Sequence, residues 1–224
     1  MENFWSRYKR NHAAVFGLFV VALIIVMAIT ASFLYPEDPF RLVGKPLSKP
    51  LTNGFLLGSD SLGRDVASGI VHGAKTSLLI GFVATLVSVF IGIFFGAFAG
   101  YFGGPIDDIL MRVTEIFQTI PSFIFAILLV AIMKPSMSSI VIAIAVVSWP
   151  GVARLVRGEF LAVKNREFVQ ACHTLGMSDL RIMLWEILPN CLSPIIVVGS
   201  LMVATAILIE SGLAFLGQGK RRKA

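Results

Sequence analysis

Three histidines and two cysteines are the side chains here best suited to metal binding or nucleophilic chemistry. Cys172 and Cys191 do not share a C-x-x-C spacing, so a structural role is predicted for both, and their number alone leaves a disulfide open. His12, His72 and His173 lie outside the apolar runs and form no His-Glu-x-x-His, paired-Asp or Ser/His constellation. The pattern therefore predicts a protein that is no enzyme and binds no metal or cofactor directly.

The composition indicates a membrane protein. Hydrophobic residues make up 56% of the 224 residues and charged residues 14%, against about 45–50% and about 25% in soluble domains. The net charge of +6 is interpreted as basic residues flanking membrane spans. A DNA-reading helix pair is disfavoured because the second helix of the one candidate unit offers only Arg181 as a cation.

Five apolar runs each approach the ~20 residues that cross a ~30 Å hydrocarbon core. Helices are predicted because lipid leaves backbone groups no other partner, so the fold class is an all-α integral membrane protein. The flanks are an N-terminal tail (1–12) and an atypical basic tail (218–224) that ends in KRRKA, with the membrane domain at 13–217. The predicted spans are about 13–35, 78–101, 114–133, 136–156 and 188–210.

Basic residues orient the chain weakly. The N-terminal tail, the 103–112 turn and the 154–186 connection share one face and carry nine Lys/Arg, against six on the other face without the C-terminal tail and ten with it. Without the tail the positive-inside rule favours a cytoplasmic N-terminus, whereas with the tail the rule fails. Five spans would place the basic tail outside, so either a sixth span is missing or the tail is foreign to the fold.

Small residues and prolines mark the predicted spans. Gly92, Gly96 and Gly100 repeat every four residues on one helix face, which permits close helix approach. This predicts helix packing, either within the chain or at a pathway or subunit contact. Prolines can kink or break helices along a transport path; those in or beside spans are Pro121, Pro150 and Pro194.

Residues 165–190 predict two short helices on one membrane face. Gly176 suits a left-handed C-cap at the end of the first helix. Ser178 can cap the second helix, and the dipole of that helix favours an acidic residue such as Asp179 in its first turn. An apolar face at i, i+3, i+4 and i+7 follows, formed by Leu180, Met183, Leu184 and Ile187. The unit is interpreted either as a docking element for a soluble partner or as a connector on the membrane surface. Before the second span, 62–70 predicts a surface helix.

Several of these stretches resemble one family. Gln170-Ala171-Cys172, then Gly176, then Leu188-Pro189 is similar to the EAA loop of permease subunits of binding-protein-dependent ABC importers. Further stretches resemble the dipeptide, oligopeptide and nickel branch; they are Gly58 to Gly81, Gly103 to Arg112 and Glu210 to Gly217. Gln170 stands where the family usually has Glu, and Cys172 where it has Ala.

The resemblance implies a six-helix permease in the bacterial inner membrane, its last helix apparently missing here. It implies a homologous second permease, two cytoplasmic ATPases that use the ATP, an external solute-binding protein and surrounding lipid as partners, with no nucleic acid. Peptides are the first expected solute, and nickel is another. Residues 158–187 would form the cytoplasmic coupling loop, with contacts from Gln170, Ala171, Cys172, Gly176, Asp179, Leu188 and Pro189.

Other functions remain as alternatives. A channel or secondary transporter would carry charges near mid-span, and none of the five predicted spans has a charged residue near its middle. An intramembrane enzyme would need the constellations that are missing above. A truncated, non-transporting remnant of a permease is the alternative that the short C-terminus raises.

Overall fold

A computed structural model of the chain describes residues 8–52, 54–134 and 136–221, with side chains up to residue 216. Its regular structure is helical, apart from isolated bridges at Thr52–Phe55 and Ser59–Asp65. The helices are α1 (His12–Leu34), α2 (Val66–Phe102), α3 (Gly104–Gln118), α4 (Ser122–Met133), α5 (Met137–Lys164), α6 (Glu167–Thr174), α7 (Asp179–Arg181) and α8 (Leu188–Arg221), with a π-helical segment (Ile182–Ile187) between the last two.

Four helical stretches among the described residues are long and apolar enough to cross a membrane: α1, α2, α5 and the run from α7 into α8. Helices α3 and α4 pass the same test as a pair bent by 81°, which gives up to five spans. The prediction of an all-α membrane fold is confirmed. The predicted span 114–133 lies across this bend, where Pro121 precedes α4 and restricts the residue before it.

Helix α2 is longer than one span. Its 37 residues extend about 55 Å at ~1.5 Å per residue, beyond the ~30 Å apolar core. Asp65 accepts a hydrogen bond from the Ala67 amide (2.9 Å) at its start. Residues 66–70 of the predicted surface helix are therefore the first turns of α2, and Leu62 lies in the preceding loop.

The chain divides into two compact units, residues 1–79 and 80–224. In the first, the end of α1 is joined to the start of α2 by polar contacts. His72 Nε2 is 2.9 Å from the Tyr35 carbonyl oxygen, and Lys75 donates to the Ser32 hydroxyl (3.2 Å). The loop between these helices, residues 36–65, folds back on itself through backbone hydrogen bonds to Gly63.

In the second unit α5 is the central helix, and it contributes to two buried clusters. One lies around Ile144 and Ala143, with residues of α2, α4 and α8. The other surrounds Phe160 and includes Val152, Val156, Val163, Val169, Ile182, Met183, Ile187 and Cys191. Pro150 and Pro194 lie inside continuous helices, so the break predicted near prolines occurs only beside Pro121 among these three.

Both predicted tails lie partly outside the described residues. Residues 1–7 are outside them, and α1 begins at His12, where the Asn11 side chain accepts from the Ala14 amide. Helix α8 continues to Arg221, and residues 222–224 are outside. Cys172 and Cys191 are both free thiols, so the disulfide that their number left open is not formed.

Candidate coupling segment and its anchoring

Helix α6 ends in a glycine cap. Gly176 has a φ of +73°, where a side chain would be strained. Its amide donates to the His173 carbonyl (3.0 Å), and the Met177 amide donates to the Cys172 carbonyl (3.1 Å). These two bonds form a Schellman motif, which confirms the predicted C-cap and reverses the chain between α6 and α7.

The second part of this segment is not a regular α-helix. After Ser178, whose side chain makes no capping bond, α7 lasts three residues and gives way to the π-helical Ile182–Ile187. The single apolar face predicted at α-helical spacing is therefore wrong: Met183 and Ile187 are buried, whereas Leu180 and Leu184 are more than half exposed. The i→i+5 bonding of a π turn shifts residues around the axis.

Residues 167–187, called here the 167–187 segment, are fixed by one face. Val169, Ile182, Met183 and Ile187 are at most 1% exposed and pack into the Phe160 cluster. The opposite side leaves large apolar side chains exposed, and these are Leu175 (80%), Leu180 (57%), Leu184 (54%) and Trp185 (74%). Exposed apolar patches on a structured element mark contact sites for partners or membrane.

The residues predicted for the coupling loop separate into two groups. Five of the seven are exposed: Gln170, Ala171, Gly176, Asp179 and Pro189. Cys172 and Leu188 are half-buried and pack against the Phe160 cluster. The Gln170 side chain, at the position of the family's Glu, is thus on the exposed side.

Tyr101, near the end of α2, makes the main polar contacts with the 167–187 segment. Its hydroxyl donates to Asp179 Oδ1 (2.6 Å), and its ring stacks on His173 with centroids 6.2 Å apart. Its carbonyl accepts from Lys164 Nζ (3.2 Å). One residue therefore touches α5, α6 and α7. Sequence reasoning missed Tyr101, since no local pattern links residues 78 positions apart.

The glycine face of α2 lies against α5. A Cβ at Gly96 would be 2.7 Å from Val156 Cβ, and one at Gly100 would be 2.6 Å from Phe160 Cβ. At Gly92 a Cβ would lie 2.6 Å from Val152 Cγ1. Separations this short leave room only for hydrogen, so the α2 backbone approaches α5 closely.

An ion pair joins α3 to α5. Asp107, in the first turn of α3, is 9% exposed and accepts two bonds of 2.5 Å from the Arg157 guanidinium. Bidentate pairing fixes both position and angle. From sequence, Asp107 is only a charge of the 103–112 turn and Arg157 only a basic residue of the 154–186 connection, because their pairing depends on how α3 packs on α5.

Comparison with known proteins identifies the family. The family described as binding-protein-dependent transport system inner membrane component matches residues 92–221, and the N-terminal TM domain of oligopeptide transport permease C matches residues 1–49. The first match covers most of the second unit, including the 167–187 segment. The chain belongs to this family of transport-system membrane components.

Three curated relatives cover almost the whole chain. It is 40% identical over 218 residues to the dipeptide transport system permease protein DppC of Bacillus subtilis, covering 97% of this chain and 68% of that one. It is 41% identical over 225 residues to DppC of Escherichia coli K12 (98% and 75%). It is 36% identical over 213 residues to the oligopeptide transport system permease protein OppC of B. subtilis (95% and 70%).

The chain is therefore a permease subunit of an ABC importer, a multi-pass protein of the inner membrane. It works with other permease, ATPase and binding-protein subunits. The prediction that it is not an enzyme is confirmed by the family. Nothing in the comparisons favours the alternative of a non-transporting remnant.

Proposed function

We propose that this subunit forms one half of a pathway for small peptides and that its 167–187 segment is the coupling loop. The complex would contain one homologous permease, two ATPases and an external solute-binding protein. The peptide substrate follows from the relatives, whose names specify dipeptides and oligopeptides.

The observation that carries the coupling role is the division of the 167–187 segment into a buried and an exposed side. Val169 and Ile182 anchor it in the core of the permease, while Leu175, Leu180 and Trp185 remain uncovered. An apolar, helical protrusion of this kind suits a groove on a soluble partner. In an ABC importer the soluble partner on the cytoplasmic side is the ATPase.

A coupling role also needs a connection to the spans. Tyr101 supplies it, because its hydroxyl holds Asp179 at 2.6 Å and Tyr101 lies one residue before the end of α2. A displacement of the segment by an ATPase would act directly on α2. Transport then follows from a shift between two arrangements of the spans, with no chemistry in the permease itself.

A cytoplasmic N-terminus is part of the proposal. It puts the 36–65 loop outside and the 167–187 segment inside, since three crossings separate them along the chain: α2, the bent α3–α4 pair and α5. A membrane-impermeant thiol reagent on intact spheroplasts tests this with single cysteines in a background lacking Cys172 and Cys191. We expect Leu56→Cys to be labelled and Leu175→Cys to be labelled only after permeabilisation. The reverse pattern would refute the orientation.

The coupling role is tested by co-purification from membranes. Leu180→Asp with Leu184→Asp places two charges on the exposed side and leaves the buried anchors intact. We expect the second permease to co-purify and the ATPases to be lost. Leu42→Asp with Leu62→Asp is the matched control, because both leucines are exposed in the 36–65 loop. Retention of ATPase by the first variant would overturn the proposal.

The substrate is tested by uptake. Cells that lack other peptide importers and express the whole transporter should accumulate a labelled dipeptide, and unlabelled oligopeptides should compete. Uptake of nickel without peptide uptake would reject the peptide assignment.

A further inference from the structure

The 36–65 loop contains a tandem tetrapeptide repeat, Lys-Pro-Leu-Ser followed by Lys-Pro-Leu-Thr, at residues 45–52. We call these eight residues the KPL element. In each copy the leucine has a positive φ, 54° at Leu47 and 60° at Leu51. Proline at position i+1 followed by a left-handed residue at position i+2 is the pattern of a type II turn, in which position i+2 is ordinarily glycine or asparagine.

The two copies also share their side-chain bonds. In each, the hydroxyl of the last residue donates to the lysine carbonyl three positions earlier. The distances are 2.8 Å for Ser48 to Lys45 and 2.5 Å for Thr52 to Lys49. The repetition of one geometry by one sequence indicates that the turns are a property of the repeat and not an accident of packing.

The leucine side chains are not buried in this conformation, although both leucine amides are hydrogen-bonded within the loop. A left-handed backbone is unfavourable for leucine, and burial of the side chain could offset that. Yet Leu47 is 75% exposed and Leu51 is 81% exposed. Strained backbone positions that the surrounding structure holds in place cluster at binding and other functional sites.

Hydrogen bonds from other residues of the 36–65 loop hold the KPL element in place. The Ser59 hydroxyl accepts from the Ser48 amide (2.9 Å) and donates to the Lys45 carbonyl (2.6 Å). The Leu51 amide donates to the Phe55 carbonyl (2.9 Å). A Cβ at Gly58 would be 3.2 Å from Pro50 N, so the inner side of the turns is in contact with backbone. The two leucines consequently point outward from a defined scaffold.

The charge of the element specifies the partner's chemistry. Lys45 and Lys49 are exposed, and neither has an ion-pair partner within the part of the chain that the structure describes. Two exposed leucines and two free ammonium groups would be complemented by a protein surface that has apolar depressions next to carboxylates. A lipid bilayer would also accept leucines, but a fluid phase has no need of a fixed, strained backbone, whereas a protein pocket does.

We propose that the KPL element is a docking contact for the solute-binding protein, with Leu47 and Leu51 in apolar depressions of that protein and the two lysines against its carboxylates. The proposal rests on the external position of the 36–65 loop proposed above. It adds which residues of this subunit receive the binding protein and by what chemistry.

The test uses the whole transporter in nanodiscs and the peptide-loaded binding protein in solution. Leu47→Gly with Leu51→Gly deletes both side chains and relieves the strain, so the turns are preserved. We expect about tenfold weaker binding, the loss typical of removing a pair of central apolar contacts. The matched control, Leu42→Ala with Leu56→Ala, removes two exposed leucines that have no positive φ, and its affinity should remain that of the wild type.

A second variant tests the charges independently. Lys45→Glu with Lys49→Glu keeps both leucines and should weaken binding most at low salt. Unchanged affinity in both double variants would overturn the proposal. An affinity loss that occurs only in discs with anionic lipid would also overturn it, in favour of a membrane contact. Failure of the external orientation is separately visible by labelling Leu51→Cys in spheroplasts.

Discussion

Gly96→Ala tests the close approach of α2 to α5 with the smallest possible change. The added methyl would lie 2.7 Å from Val156 Cβ and 3.0 Å from the Arg157 amide nitrogen, whereas carbon atoms in contact are normally ~3.5–4.0 Å apart. Because one of these neighbours is backbone, the helices must separate. Overpacking of this kind costs about 1–3 kcal/mol, and the better helix propensity of alanine recovers up to about 1 kcal/mol.

We therefore expect a net loss of about 1–2 kcal/mol in the free energy of unfolding. The melting temperature should fall by roughly 3–6 °C for a chain of this size. Trp149 is a suitable probe, since it is 4% exposed and lies against Phe95. The assay is thermal unfolding of the purified chain in detergent, followed by Trp149 fluorescence with Trp5 and Trp185 replaced by phenylalanine.

Gly158→Ala on the facing helix is the matched control. A Cβ there meets nothing within 4 Å, so the substitution should be neutral or stabilising by up to about 1 kcal/mol. The two variants are thus expected to shift in opposite directions. A melting temperature for Gly96→Ala at or above that of the unchanged chain would refute the close approach of the helices, and an equal fall in both variants would refute the assignment of faces.

Three further predictions concern polar contacts. Tyr101→Phe keeps the ring but removes the hydrogen bond to the 167–187 segment, so peptide uptake per ATP hydrolysed should fall a few-fold while complex assembly is retained. Asp107→Asn leaves the Arg157 guanidinium half-buried without its carboxylate and should cost about 2 kcal/mol, measured as a lower melting temperature. The hydrogen bond from the Arg64 amide is the largest cause that lowers the pKa of the Asp60 carboxyl. The ionised carboxylate therefore stabilises the folded 36–65 loop above the unfolded-state pKa, and this stabilisation is lost as pH falls through the folded-state pKa. Limited proteolysis of the 36–65 loop should therefore accelerate below about pH 4, and Asp60→Asn should remove this dependence.

The spans and the glycine cap could be predicted from sequence because both are local. An apolar run of membrane length has few alternatives to a helix, and the cap at Gly176 needs only one residue that tolerates a positive φ. The helix boundaries are harder to predict from sequence. The start of α2 at Val66 depends on how the 36–65 loop closes, and the bend beside Pro121 could not be told from the continuous helices at the other two prolines.

Other features depend on contacts or conformations that sequence patterns do not encode. Because Ile182–Ile187 is π-helical, the apolar residues of this region do not form the single face that α-helical spacing predicts. The bonds from Tyr101 to Asp179 and from Arg157 to Asp107 join positions 78 and 50 residues apart. The turns of the KPL element cannot be predicted from its sequence, because leucine gives no signal for a left-handed conformation.

The second unit contains tightly packed contacts between helices as well as places where regular helix bonding is interrupted. The close contact at Gly96, the ion pair at Asp107 and the Tyr101 hydroxyl all tie α2 and α3 to α5 or to the 167–187 segment. Packed contacts of this kind move together, since a dense interior transmits displacement better than it absorbs it. The π-helical segment and the bend at Pro121 interrupt regular helix bonding and are where rotation would be least opposed. We therefore expect α2, α5 and the 167–187 segment to move as one body during transport. Distances between spin labels should test this: labels on α2 and α5 should keep one distance through the ATP cycle, and a change in that distance would contradict the common motion.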